Sequence, residues 1–155
     1  MSVTDSDLMR FAEETLRDVV SEASHRASVS RAYYSAYHAL SPFASALPKS
    51  AACPKTLGDR LSHSELVERL REWKTDGVSP NLSRMTATKS SLWRHVQAAA
   101  NARVLADYRI SRELTLAEAQ TQIERAKRIL RAAQQIETEK ARSGDADWAT
   151  GTVAE

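Results

Sequence analysis

Glycine and proline are scarce in this chain, four of each in 155 residues, so few positions interrupt a helix. Valine and isoleucine are sparse, while alanine, leucine, arginine and glutamate are plentiful, which disfavours strands and favours helices. The single cysteine, Cys53, has no partner for an internal disulfide and reads as an ordinary loop thiol, so nothing in the sequence is adapted to an oxidising compartment. No apolar run approaches membrane-spanning length, and the opening residues "MSVTDSDLMRF" carry acids where a secretory signal needs bases. A cytoplasmic protein without a membrane partner is expected. Also missing are a P-loop, a dinucleotide-binding glycine pattern and a metal-ligand constellation, so no cofactor and no metal site is expected.

Helices are what the sequence does contain, and the chain is of a length for one domain that buries a core. Thr4, with Asp7 three residues on, opens a first helix over 5–23 whose apolar stripe is Leu8, Phe11, Ala12, Leu16, Val19, Val20 and Ala23. A second helix covers 24–46 and is expected to bend or end near Pro42. Ser62 and Glu65 form a capping box for a third, ending near Lys74 with Leu66, Val67, Leu70 and Trp73 on one face and "TDG" closing it. The fourth, over 91–109, aligns Leu92, Val96, Ala99, Ala100 and Arg103. Thr115 and Glu118 cap a fifth that runs to Lys140, with Ala119, Ile123, Ala126, Leu130, Ala133 and Ile136 inward. The expected architecture is all-α, an antiparallel up-and-down bundle of four to five helices over 1–140, followed by a disordered tail over 141–155.

Charge is unevenly distributed. Residues 1–24 hold six acids against two bases, whereas residues 80–131 hold ten bases against four acids, a balance that suits either a polyanionic partner or solvated helix faces. The second helix carries the densest chemistry. At about 100° per residue, Val29, Tyr33, Ala36, Tyr37, Leu40 and Ala44 form one stripe, so Tyr33 and Tyr37 are explained as packing aromatics. Arg31 and His38, seven residues apart, share a second and polar face with Tyr34 and Ser35 between them, with a drift of only about 20° over the two turns.

Three segments, "SRAYYSAYHAL", "SHSELVERL" and "ANARVLADYRISRELTLAEAQTQIERAKRIL", resemble in order and spacing the HEPN domain family, in particular its small prokaryotic single-domain members. The resemblance spans most of residues 26–131 and implies an all-α bundle, usually homodimeric, in which many members are metal-independent endoribonucleases. The family's catalytic signature, an arginine followed after four to six residues by a histidine, is matched here only by Arg31 and His38 with six between. The branch paired with nucleotidyltransferase antitoxins favours a tyrosine two residues after the histidine; this chain has Leu40, which departs from control by nucleotidylation of that tyrosine. The implied function is a ribonuclease acting as a toxin or defence component, with an RNA substrate and a nucleotidyltransferase-type or other antitoxin partner. A non-catalytic HEPN-like module binding a nucleotide or protein as half of a two-gene system is the alternative, and a helical adaptor using the tyrosine stripe as its interface is a third.

The residue types suit the implied chemistry. Metal-free RNA cleavage needs a base for the 2′-hydroxyl proton, an acid for the leaving 5′-oxygen and positive charge beside the phosphate, roles that imidazole and guanidinium fill. Supporting candidates are His63 behind the Ser62 cap, and Arg103, Asp107 and Tyr108, which match the family's "R…ADY" pattern and are expected to brace the second helix. By spacing alone, Arg103 and Asp107 read as an intrahelical ion pair. Arg94, Arg109 and Arg112 are candidates for an RNA track, and His25 and His95 read as structural or solvated.

Overall fold

The computed structural model describes residues 2–18, 20–47, 61–73 and 86–143. Among them are five helices and no strand: α1 Asp5–Asp18, α2 Glu22–Ala46, α3 His63–Glu72, α4 Thr86–Tyr108 and α5 Leu116–Ser143. The protein is an all-α helical bundle. None of these helices is long and apolar enough to cross a membrane. The chain forms two compact units, one of Met1–Ala39 with His95–Leu130 and one of Leu40–Arg94 with Arg131–Glu155, so α2, α4 and α5 each contribute to both.

The helix starts follow from capping chemistry written in the sequence. The Asp7 amide donates to Thr4 Oγ1, and the Thr4 amide and hydroxyl donate back to Asp7 Oδ2 at 3.1 and 2.7 Å. Ser62 and Glu65 repeat the device at α3, and Thr115 and Glu118 at α5, each reciprocally. These bonds favour the ionised carboxylate, so Asp7 and Glu118 both titrate below the ordinary carboxylate range, with the Thr4 and Thr115 bonds the leading causes.

The first helix is shorter than its apolar stripe suggests. It stops at Asp18, and α2 starts afresh because Ser21 and Ser24 cap each other: each amide donates to the other's hydroxyl at 3.1 Å. The expected inward positions Val20 and Ala23 therefore lie outside α1 and are exposed, and Phe11 is 51% exposed, while Met9 and Ala12 are buried instead. Pro42 does not end α2, which continues to Ala46 with the ring on its exposed side. Since proline has no amide hydrogen, the His38 carbonyl four residues back lacks its intrahelical donor. In α5 the buried residue of its middle turns is Ile129 at 0%, with Leu130 only half-buried, and the helix runs three residues beyond Lys140. The "TDG" closure of α3, Cys53 and the tail from residue 144 lie outside the described residues.

In the first unit the core combines Val29, Ala32, Tyr33, Ala36 and Tyr37 of α2 with Val96, Ala99 and Ala106 of α4 and Ala119, Ile123, Ala126 and Ile129 of α5. Alanine at so many of these positions lets helix backbones approach closely. The close of α4 depends on one side chain. Arg26 of α2, held by Glu22 through Nε at 2.9 Å, donates Nη1 to the Leu105 and Ala106 carbonyls at 3.1 and 2.9 Å and Nη2 to those of Arg109 and Arg112. These include last-turn carbonyls that no helical amide can reach. The Leu114 amide donates to Glu22, which draws the turn between α4 and α5 against the start of α2.

In the second unit Leu40, Phe43, Ala44 and Leu47 pack with Leu61, Leu66, Val67, Leu70 and Trp73, joined by Leu92, Ala133 and Ile136. Phe43 and Trp73 meet edge to face with centroids 4.9 Å apart. A second arginine cap operates here: buried Arg69 of α3 donates to the Leu47 carbonyl, just past the end of α2, at 2.7 Å.

Replacing Arg26 by methionine removes the donors of the Ala106 and Arg112 carbonyls, while those of Leu105 and Arg109 keep the Arg109 and Arg112 amides, and should destabilise the protein by about 2–3 kcal/mol in urea unfolding, whereas Arg10→Ala, which removes an exposed pair with Asp7, should cost less than about 0.5 kcal/mol. Glu118 binds fewer protons folded than unfolded at acid pH, so its contribution is complete above the ordinary carboxylate pKa and lost as pH falls through its lowered folded value. Glu118→Gln should therefore be less stable than wild type at neutral pH, with the gap shrinking by about pH 3, as read from unfolding curves at the two pH values.

Candidate functional site

Helix α2 separates its side chains into a packed face and an exposed one. Tyr33 and Tyr37 are buried, and burial pushes the Tyr33 phenol well above its ordinary pKa, so it holds its proton. Arg31 and His38 are exposed two turns apart on the other side. Among the described residues, neither has a hydrogen-bond or ion-pair partner. Arg31 overhangs α1, where it lines a cleft of about 480 Å³ with Val3, Asp7, Arg10, Phe11 and Glu14. The His38 ring is held between two tyrosines, lying near-parallel to Tyr34 at 6.4 Å and edge-on to Tyr37 at 5.3 Å. These contacts orient the imidazole while the residue as a whole stays exposed.

Tyr34 connects this face to α4. Its hydroxyl accepts from Arg103 Nη2 at 2.8 Å, and the guanidinium carbon lies 5.4 Å from the Tyr34 ring centre and 5.3 Å from that of Tyr108. Arg103 Nε sits 2.7 Å from Asp107 Oδ2, so the ion pair expected from the four-residue spacing is present. Burial works against the charge on Arg103, but Tyr34, Asp107 and Tyr108 outweigh it and hold its pKa above the ordinary value. The arrangement ties α4 to α2 through the Arg103 bond to Tyr34, with Asp107 holding Arg103 from its own helix. Tyr108, otherwise exposed, forms the outer wall of the guanidinium slot.

Other candidates fall elsewhere. Ser35 is fully buried and its hydroxyl donates to the Asp5 carbonyl at 2.6 Å, so it pins α1 to α2 rather than joining the exposed face. Its position in the helical repeat placed it with Arg31, but its short side chain turns into the α1 contact. His63 occupies the first turn of α3 in the second unit. His25 is buried, with Nδ1 donating to the Leu114 carbonyl at 2.9 Å, a structural role. Of the proposed RNA track, Arg112 is engaged by Glu118 at 2.7 Å and Arg94 lies against Trp93. Arg26 was overlooked in the sequence; the signal was Glu22 four residues before it, a spacing that also fits an unremarkable surface pair. No group of three His, Cys, Asp or Glu side chains among the described residues is arranged to hold a metal ion.

Comparison of the chain with family models, with curated proteins and with solved structures finds no match. The functional reading consequently rests on the residues and their geometry.

The brace has a measurable strength. A double-mutant cycle of Tyr34→Phe and Arg103→Ala, followed by urea unfolding, should give a coupling of about 1 kcal/mol. Additive effects of the two substitutions would show that the pair does not act together.

Proposed function

We propose that the protein is a HEPN-like, metal-independent endoribonuclease, a toxin or defence component, acting through Arg31 and His38 in a homodimeric cleft. One observation carries the reading. The nearby arginines of the same unit, Arg26 and Arg103, are engaged by carbonyls, a carboxylate and tyrosines, while Arg31 and His38 are left exposed and unengaged among the described residues on a face stiffened by Tyr34. Exposed polar groups on a braced helix are available to a ligand in a fixed geometry.

In this reading His38 takes the proton from the ribose 2′-hydroxyl, the freed oxygen attacks the adjacent phosphorus, and the 5′-oxygen leaves. The products are a 2′,3′-cyclic phosphate and a 5′-hydroxyl, so one proton is removed and one delivered. Arg31 holds the non-bridging oxygens through two N–H donors as charge builds on them. A single imidazole is poorly placed to serve both proton transfers, and a second copy of α2 across a two-fold axis supplies the acid. An antitoxin partner, of nucleotidyltransferase type or another, belongs to the same proposal.

His38→Ala and Arg31→Ala should each lower RNA cleavage in EDTA by about 10²-fold or more, while stability changes by less than about 0.5 kcal/mol because both side chains are exposed. Cleavage of a labelled RNA, with circular dichroism and light scattering of the same samples, makes the comparison. Equal cleavage by a folded His38→Ala dimer would remove the site. A wild-type protein that cuts no RNA would leave the non-catalytic binding module as the reading.

A further inference from the structure

A second concentration of positive charge lies on α4 and α5 and shares no residue with the α2 face. His95 of α4 and Ala117, Gln120, Thr121, Glu124, Arg125 and Arg128 of α5 line an open cleft of about 480 Å³ within the first unit. On α5, positions 117, 121, 125 and 128 recur at helical spacing and form one stripe that faces the imidazole.

The cations there are incompletely compensated. Arg125 and Arg128 are three residues apart, a spacing at which like charges repel. Arg125 gives one Nη to the neutral Gln122 side chain at 2.6 Å, and Arg128 is exposed with no partner among the described residues. The one carboxylate in the lining, Glu124, is drawn to Lys127 at 3.2 Å, and Lys127 also pairs with Glu13 of α1. The effect registers on His95, whose pKa lies below the ordinary histidine value through burial first and then through Arg125 and Arg128. The polar lining supplies a further amide donor on Gln120, while no aromatic ring is present to stack on a base. Two arginines, an imidazole and an amide without a stacking surface suit a phosphate group rather than a nucleobase.

We infer that this cleft is a phosphate-binding site that takes a backbone phosphodiester of RNA, with Arg125 and Arg128 as the primary contacts and His95 as a donor that gains its proton on binding. The choice of RNA as the source of the phosphate rests on the ribonuclease reading; the anion chemistry does not. A bound anion offsets the two guanidinium charges that disfavour imidazolium, so the His95 pKa rises in the complex. Protons are then taken up on binding, and affinity increases as pH falls through the His95 titration.

The test is an NMR titration of the His95 ring in the intact chain, with three probes added separately: sulfate, which stays fully ionised across the imidazole range, uridine monophosphate, and a 2′-O-methyl oligouridylate that lacks the nucleophile for cleavage. The oligonucleotide and sulfate are expected to raise the His95 pKa by about half a unit or more, with the oligonucleotide effective at the lower concentration. Arg128→Gln should weaken oligonucleotide binding about tenfold and reduce its salt dependence by about one phosphate contact, with circular dichroism unchanged. An unmoved His95 with all three probes, or an equal shift in Arg128→Gln, would overturn the site. A shift with sulfate or the mononucleotide but not the oligonucleotide would overturn the assignment to RNA. Because the oligonucleotide cannot be cut, a His95 response stands even if the wild-type protein never cleaves RNA, and a lost response leaves the Arg31 and His38 proposal intact.

Discussion

The first unit depends on how the C-terminal end of α4 is closed. A helix end leaves carbonyls that no amide of its own can reach, and a packed end without partners is costly. Arg26 supplies the donors from α2, Glu22 holds its guanidinium from one side and takes the Leu114 amide, and the small core of Val29, Ala106, Leu114 and Ala119 closes beneath. A planar fork can meet several carbonyls at once, which an ammonium on a flexible stem does less well. With that end tied, α4 presents Arg103, Asp107 and Tyr108 toward Tyr34, and the exposed face of α2 acquires its brace. Fold and candidate site thus share one origin.

Guanidinium groups in this protein divide by what surrounds them. Arg26 and Arg69 end helices, Arg103 is held between two phenol rings and a carboxylate, and Arg10, Arg71 and Arg142 make exposed pairs along their own helices. Exposed pairs of that last kind contribute little to stability, because water screens them and long side chains lose freedom in making them. Arg31 and Arg128 belong to none of these three groups. Each lines a cleft without a partner among the described residues; His95 lines the same cleft as Arg128, and His38 is exposed two helical turns along α2 from Arg31. At His95 the neighbouring Arg125 and Arg128 add to burial in holding the imidazole pKa below its ordinary value.

Much of the secondary structure was legible because its signals are local. The pairs Thr4 with Asp7, Ser62 with Glu65 and Thr115 with Glu118 mark helix starts within three residues, and all three form the reciprocal bonds their spacing implies. The stripe from Val29 to Ala44 is buried throughout for an equally local reason, the helical repeat. Where the reading strayed, a competing local bond or a distant neighbour decided. The mutual cap of Ser21 and Ser24 ended the continuous stripe of α1, leaving Val20 76% exposed. Ile129 and Leu130 are adjacent and equally apolar, and only the direction from which the other helices approach α5 determines which is buried.

By itself the sequence determined the helical class, three of the helix starts, the packed stripe of α2 and the pairing of Arg31 with His38 on one side of that helix, since each follows from spacing along a helix. The tertiary structure decided which polar groups are engaged and which are free. Arg26 and Arg31 are five residues apart with the same side chain, yet one is consumed by carbonyls about eighty residues away and the other is exposed. Ser35 lies one residue from Tyr34, yet the Asp5 carbonyl of α1 withdraws it from the face while Arg103 of α4 holds Tyr34 beside His38. Helical periodicity fixes the angle at which a side chain leaves its axis, but the partner it meets comes from another helix, and a hydrogen bond formed over that separation leaves no regular spacing in the chain.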